Sequence, residues 1–204
     1  MDDPRGWRSR GYLPHIDAEG LTQFVTWRTL DSLPQNVIEG WKAELATATD
    51  TERKRELLRK TEAYCDAGHG ECPMRDPRAA RAVQECLFHD HPAKYHLHAW
   101  VVMPNHVHVL FTPVAGITLS AIMHRVKTAS AHAVNKSLGR KGPLWQTESF
   151  DRYIRGQVHF DGTVRYIEWN PVKAKLCPDP KKWAWSSCSP DAMARLEFLE
   201  RSRE

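Results

Sequence analysis

Residues 94–112, KYHLHAWVVMPNHVHVLFT, constrain the fold more than any other stretch of the chain. Lys94 to Met103 reads as one strand, Pro104-Asn105 as a tight turn, and His106 to Thr112 as a second strand pairing back on the first. Two β-patterned runs on either side of a two-residue turn predict a hairpin, here with a rim rich in imidazole.

The flanking patterns place this hairpin in a larger sheet. Gln23 to Thr29 alternates apolar with polar side chains, the period-two signature of a half-buried strand, and Leu33-Pro34 punctuates its end. From Pro34 to about His91 the pattern turns helical. Val37, Ile38, Trp41 and Leu45 share one face, TERKRELLRKTEAYCDAG ends on a glycine stop, and a third helix is predicted from Pro77 to Phe88. Beyond the hairpin, Thr118 is a natural N-cap and Gly139 a stop for a long helix, with Leu119, Ile122, Met123, Val126, Ala129, Ala133 and Val134 as its buried stripe. Residues 144–155 read as another strand, His159 to Trp169 as a helix broken at Asn170-Pro171, and residues 190–204 as a polar helical tail. Residues 1–12 read as a flexible arm. This order of elements predicts an α+β fold: a ferredoxin-like (RRM-like) antiparallel sheet with helices on one face, the helical segment 34–91 enlarging its first crossover.

Length and composition agree with that fold. A chain of 204 residues, 41% hydrophobic and 26% charged, fits one domain over residues 1–204 with a core of its own. No apolar run reaches the roughly 18 residues of a membrane span, and Met-Asp-Asp-Pro-Arg is no secretion signal, so a cytoplasmic protein without a membrane partner is expected. Five cysteines, Cys65, Cys72, Cys86, Cys177 and Cys188, then read as reduced thiols. The spacing of Cys65, His69, Cys72, Cys86 and His89 is only loosely zinc-like and matches no standard finger. The net charge of +4 is unevenly spread: residues 1–91 carry −3 and residues 92–188 carry +8. That asymmetry points to a polyanionic partner, with a merely solvated basic surface as the alternative.

Two spacings carry chemistry. In a strand, residues i and i+2 share a face, so His106 and His108 can converge on one metal ion, although a bare H-x-H also describes two ordinary surface histidines. Tyr166 and Asn170 lie at i and i+4 of a helix, which stacks a phenol and a carboxamide on one side, although a lone tyrosine there is commonly structural. His96 and His98 could support the metal from the neighbouring strand, although ordinary surface histidines are the commoner reading of such a pair.

AWVVMPNHVHVLFTP (residues 99–113), LWQTESFDRYIR (144–155), YIEWNPVKAKL (166–176), WAWSS (183–187) and the opening RGYLPHIDAEGLTQFVTWRT (10–29) together resemble the HUH single-tyrosine transposases, and in particular the REP-associated tyrosine transposases. The resemblance spans residues 10–188 in order. It implies an RRM-like fold, His106, His108 and Asn170 as ligands of Mg²⁺ or Mn²⁺, and Tyr166 as the nucleophile that nicks single-stranded DNA at a hairpin-forming repeat through a 5′-phosphotyrosine. Arg125 and Lys127 beside the long helix's stripe, with Arg140, Lys141, Arg152, Arg155 and Lys173, are the candidate DNA contacts. Glu168 and Trp169 vary in the family, and the segment 34–91 exceeds its minimal form, leaving monomer or homodimer open. A domesticated hairpin-binding protein that no longer cleaves is the alternative, and a replication-initiator or relaxase relative a remoter one.

Overall fold

The computed structural model describes residues 7–10, 13–16 and 20–202. Its strands are β1 (Trp7–Arg10), β2 (Leu13–Ile16), β3 (Gln23–Arg28), β4 (Tyr95–Val102), β5 (His106–Pro113) and β6 (Phe150–Tyr153). Its α-helices are α1 (Gln35–Glu44), α2 (Asp50–Asp66), α3 (Pro77–His89), α4 (Leu119–Leu138), α5 (Gln157–Lys173) and α6 (Pro190–Arg201). β1 and β2 pair with each other, so part of the expected N-terminal arm is a two-stranded ribbon; the rest of that arm lies outside the described residues.

The main sheet has the order β4-β5-β3-β6 with every pair antiparallel. This is the split β-α-β arrangement that the order of elements predicts, with α1, α2 and α3 all in the crossover from β3 to β4. Side-chain alternation divides the sheet cleanly. Val25, Trp27, Val107, Val109 and Phe111 point to one face and pack against α3, α4 and α6. Phe24, Leu110, Ala99 and Val101 point to the other and meet Ile167, Val164 and Tyr166 of α5. Helices therefore cover both faces, not one: α5 crosses to the side that carries the histidines.

Other differences have local causes. α4 begins and ends as its caps dictate, Thr118 accepting from the Ala121 N–H and Gly139 adopting φ 65°. Its buried stripe, however, takes Ser130 in place of Ala129 and Ala133. Ser130 Oγ donates to the Val126 carbonyl (2.6 Å) and accepts from Trp145 Nε1 (3.0 Å), so its hydroxyl is satisfied in the core. Of residues 144–155 only Phe150–Tyr153 is a strand, apart from a bridge between Trp145 and Thr29. Lys127 Nζ donates to the carbonyls of Gln146 (2.6 Å) and Thr147 (2.8 Å) and draws that segment towards α4.

α5 runs through Pro171 to Lys173. A proline there removes only the bond to the Ile167 carbonyl, and the turn closes beyond it with Ala174 N–H to Asn170 O and Leu176 N–H to Pro171 O, both 2.9 Å. α6 is no solvated tail, since it buries Ala192 and Leu196 in the core. After α5, Trp183 Nε1 donates to the Val102 carbonyl and Ser186 bridges Val101, covering the β4 edge.

Candidate metal and tyrosine site

β5 carries His106 and His108 on the α5 side of the sheet, both buried. Each ring is oriented by its Nδ1. His106 Nδ1–H donates to Asn105 Oδ1 (2.8 Å), and Asn105 Nδ2 donates in turn to the His69 carbonyl (2.8 Å), which settles the amide's direction. His106 Nε2 is then a bare lone pair. Thr26, opposite His108 in the β3–β5 register, places its hydroxyl 2.7 Å from His108 Nδ1 and can serve either tautomer. The two Nε2 atoms stand 3.1 Å apart. Burial, followed by the nearby charges of Arg28 and Lys173, lowers the His106 pKa to about 3; burial also pushes His108 well below the usual value. Both rings are neutral near neutral pH, the form that binds a metal.

α5 brings the other two expected residues to this spot. The Asn170 amide lies 3.4 Å from His108 Nε2, and its Oδ1 is buried with no hydrogen-bond partner. Tyr166 presents its ring edge to Phe24 (centroids 5.8 Å apart) and to His108 (5.4 Å). Its hydroxyl is buried and makes no well-formed hydrogen bond, with the Glu62 carboxyl as its polar neighbour. Burial, then the charges of Glu62 and Asp66, push its pKa above the ordinary phenol value, so it is held as a neutral phenol.

Sequence reasoning missed Asp66, the last residue of α2. Among the described residues, Asp66, His106 and His108 form the one cluster whose ligand atoms all lie within 4.8 Å of each other. Asp66 Oδ1 is 3.6 Å from His106 Nε2, and Oδ2 is 2.9 Å from Lys173 Nζ. Glu62, one turn earlier on α2, adds a carboxyl whose pKa burial raises. No local pattern marks these acids, because in sequence they belong to a charged helix. Asp31 anchors the loop beyond α2: its carboxylate accepts from the Glu71 N–H (2.7 Å) and sits where any side chain at Gly70 (φ 86°) would have its Cβ.

The expected DNA contacts separate into pinned and outward-facing groups. Arg125 pairs with Asp90 (3.0 Å), Arg140 with Glu71, Lys173 with Asp66, and Lys127 with the two carbonyls above. Arg155 Nε donates to the Tyr153 hydroxyl (3.0 Å). Among the described residues Arg152 and Lys141 have no ion pair. Arg152 is exposed and lies opposite Phe24 in the register, on the face that carries the histidines. His96 and His98 are not part of the site: they pair near Thr112, four residues beyond His108, where His98 Nε2 meets the Thr112 hydroxyl (2.7 Å). The cysteines make no zinc cluster among the described residues, and Cys72 Sγ contacts the Gly68 carbonyl (3.1 Å).

Comparison with known proteins matches this region. Residues 83–170, from α3 to Asn170, match the family model described as "Transposase IS200 like". The REP-associated tyrosine transposase of Escherichia coli (strain K12) is 30% identical over 103 residues, which is 50% of this chain and 59% of that protein. The matched part thus spans less than two thirds of the curated relative's length. The solved structure of a REP-associated tyrosine transposase bound to a REP hairpin shares the fold with a TM-score of 0.54 at 20% identity, covering 93% of this chain and 87% of that one.

Proposed function

We infer that this chain is a member of the IS200-like, single-tyrosine transposases, and from that premise we propose that it nicks and rejoins single-stranded DNA beside a hairpin-forming repeat element. The observation that carries the reading is the approach of two buried, neutral imidazoles, their Nε2 atoms 3.1 Å apart, beside an unpaired Asn170 Oδ1 and the Tyr166 ring. A structural core has no use for unpaired polar atoms gathered this way. A divalent cation satisfies them. The donor set, two imidazoles with amide and carboxylate oxygens nearby, fits Mg²⁺ or Mn²⁺.

In the proposed reaction the Tyr166 oxygen attacks the scissile phosphorus as the bond to the 3′-oxygen breaks. The phenolic proton leaves and the 3′-oxygen takes one up, giving a 5′-phosphotyrosine and a free 3′-hydroxyl. Because the covalent link retains the phosphodiester energy, rejoining needs no ATP. A neutral phenol is a weak nucleophile, and the chemistry a cation held by His106, His108 and Asn170 supplies is Lewis-acid stabilisation of charge on the phosphate. His106 and His108 stay correctly turned because Asn105 and Thr26 hold their Nδ1 atoms. Arg152 is placed to meet the DNA backbone on the same face. A cytoplasmic protein, organised as one domain over residues 1–204 and acting as monomer or homodimer, belongs to the same proposal.

The hydroxyl's burial also favours a second reading, a hairpin-binding protein that no longer cleaves. Incubating the purified protein with Mn²⁺ or Mg²⁺ and labelled single-stranded DNA carrying its hairpin separates the two. A covalent adduct that EDTA abolishes and blunt duplex does not form supports the enzyme; hairpin binding with no adduct in either metal supports the binder.

A further inference from the structure

We propose that Asp66 is a metal ligand, so that the crossover helix α2 completes the metal site. The inference rests on the reading of His106 and His108 given above and extends it to an element outside the sheet.

Three observations place Asp66 there. Its side chain is only 10% exposed, although it is a carboxylate at the end of a highly charged helix. Lys173 meets Oδ2 at 2.9 Å and the Asn170 amide lies against the carboxylate, while Oδ1 faces the imidazoles without a well-formed hydrogen bond. Oδ1 also lies 3.6 Å from His106 Nε2, whose proton is on the other ring nitrogen, so two acceptors face one another. A proton or a cation has to stand between such atoms, and the spacings suit a cation. Ligands about 2.1 Å from a six-coordinate ion sit about 3 Å apart when adjacent and about 4.2 Å when opposite. The 3.1 Å between the histidines and the 3.6 Å to Asp66 fall between those values.

The consequence is chemical as well as geometric. Histidines and an amide are neutral ligands that would also accept Zn²⁺ or Ni²⁺; an added carboxylate shifts preference towards the hard, oxygen-loving Mg²⁺ and Mn²⁺. Lys173 is then a positioning residue that holds the carboxylate and competes with the ion for it, not a DNA contact. Binding an ion would also clamp the last turn of α2 onto the sheet.

The test is a Mn²⁺ titration of the full chain, read from the free-ion EPR signal without any DNA. Asp66→Asn should weaken Mn²⁺ binding at least tenfold, and Lys173→Met should leave it equal or tighter. An Asp66→Asn affinity within twofold of the parent overturns the proposal, as does an equal loss in both variants, which would make Asp66 a counter-ion for Lys173 alone. His106→Ala is the control: if it too binds Mn²⁺ normally, the histidine reading itself fails. Should Asp66→Asn not fold by circular dichroism, hydrogen exchange of the parent decides. Amides of residues 62–67 slowing on Mn²⁺ addition support the ligand, and unchanged exchange in a protein that binds Mn²⁺ refutes it.

Discussion

Replacing Tyr166 by Phe should abolish DNA cleavage and at the same time make the protein more stable. The ring stays in its slot against Phe24 and His108, with Lys173 Nζ 5.6 Å above it, so no apolar contact is lost. What leaves is one hydroxyl, buried and without a well-formed hydrogen bond, its one polar neighbour being the Glu62 carboxyl. A buried polar group with no partner costs roughly 1–3 kcal/mol, and part of that is returned when the void left by one oxygen goes unfilled. The net expectation is a gain of about 1 kcal/mol, or about 2–4 °C in Tm for a chain of this size. Tyr153→Phe is the comparison, because its hydroxyl accepts from Arg155 Nε at 3.0 Å near the surface and its loss should cost a few tenths of a kcal/mol. Urea and thermal melts in EDTA measure the stability. Adduct trapping on labelled single-stranded DNA, with the linked peptide mapped by mass spectrometry, measures the chemistry. A Tyr166→Phe protein destabilised by more than about 1 kcal/mol would refute the burial argument, and a phosphotyrosine mapped to residue 153 would refute the nucleophile.

Burial raises the pKa of Asp90, but hydrogen bonds from Arg125, His89 and Lys94 outweigh it and bring the pKa down to about 2. Its contribution to stability is therefore present above the unfolded value near 4 and disappears as pH falls through 2. Asp90→Asn should cost about 1 kcal/mol at pH 7, after allowance for solvent screening, and less than half of that at about pH 2, where the native carboxyl is half protonated; acid melts with an equal gap at both pH values would contradict this. Arg152→Gln should weaken hairpin binding and lower the salt slope by about one unit, whereas Lys127→Met should leave both unchanged and instead lose about 1–2 kcal/mol of stability, since two carbonyls lose their donor. Filter binding across a salt series, paired with melts, would expose a reversal of those roles. Leu196→Ala should cost about 2–3 kcal/mol because α6 is part of the core, and a loss under about 0.5 kcal/mol would restore the picture of a solvated tail.

How far the chain could be read from its letters depended on the range of the interaction. The β4–β5 hairpin, the caps of α4 and the same-face placement of His106 with His108 and of Tyr166 with Asn170 follow from repeats of two and of 3.6 residues, set inside a single element. Those repeats show which side of an element is apolar but not what covers it. Hence α5 on the histidine face, α6 in the core and Ser130 buried beneath the Trp145 indole came only with the packing.

The candidate site divides along the same line. His106, His108, Tyr166 and Asn170 are legible because local geometry presents each pair, and the resemblance in sequence ties the two pairs together. Asp66 reaches His106 across 40 residues of sequence, along a helix whose charges look solvated, and only its docking on the sheet turns a surface acid into a buried one facing two imidazoles. Likewise a lysine or arginine counts as basic in any composition, but only the packing shows that Arg125, Arg140, Lys173 and Lys127 meet Asp90, Glu71, Asp66 and two loop carbonyls. The sequence by itself determined the β4–β5 hairpin, the strand Gln23–Arg28, the long helix and which candidate side chains share a face, because those depend on neighbours a few residues away. Which charges meet, which face is covered and which acid joins the histidines were decided by tertiary structure, because desolvation and pairing are properties of the assembled core.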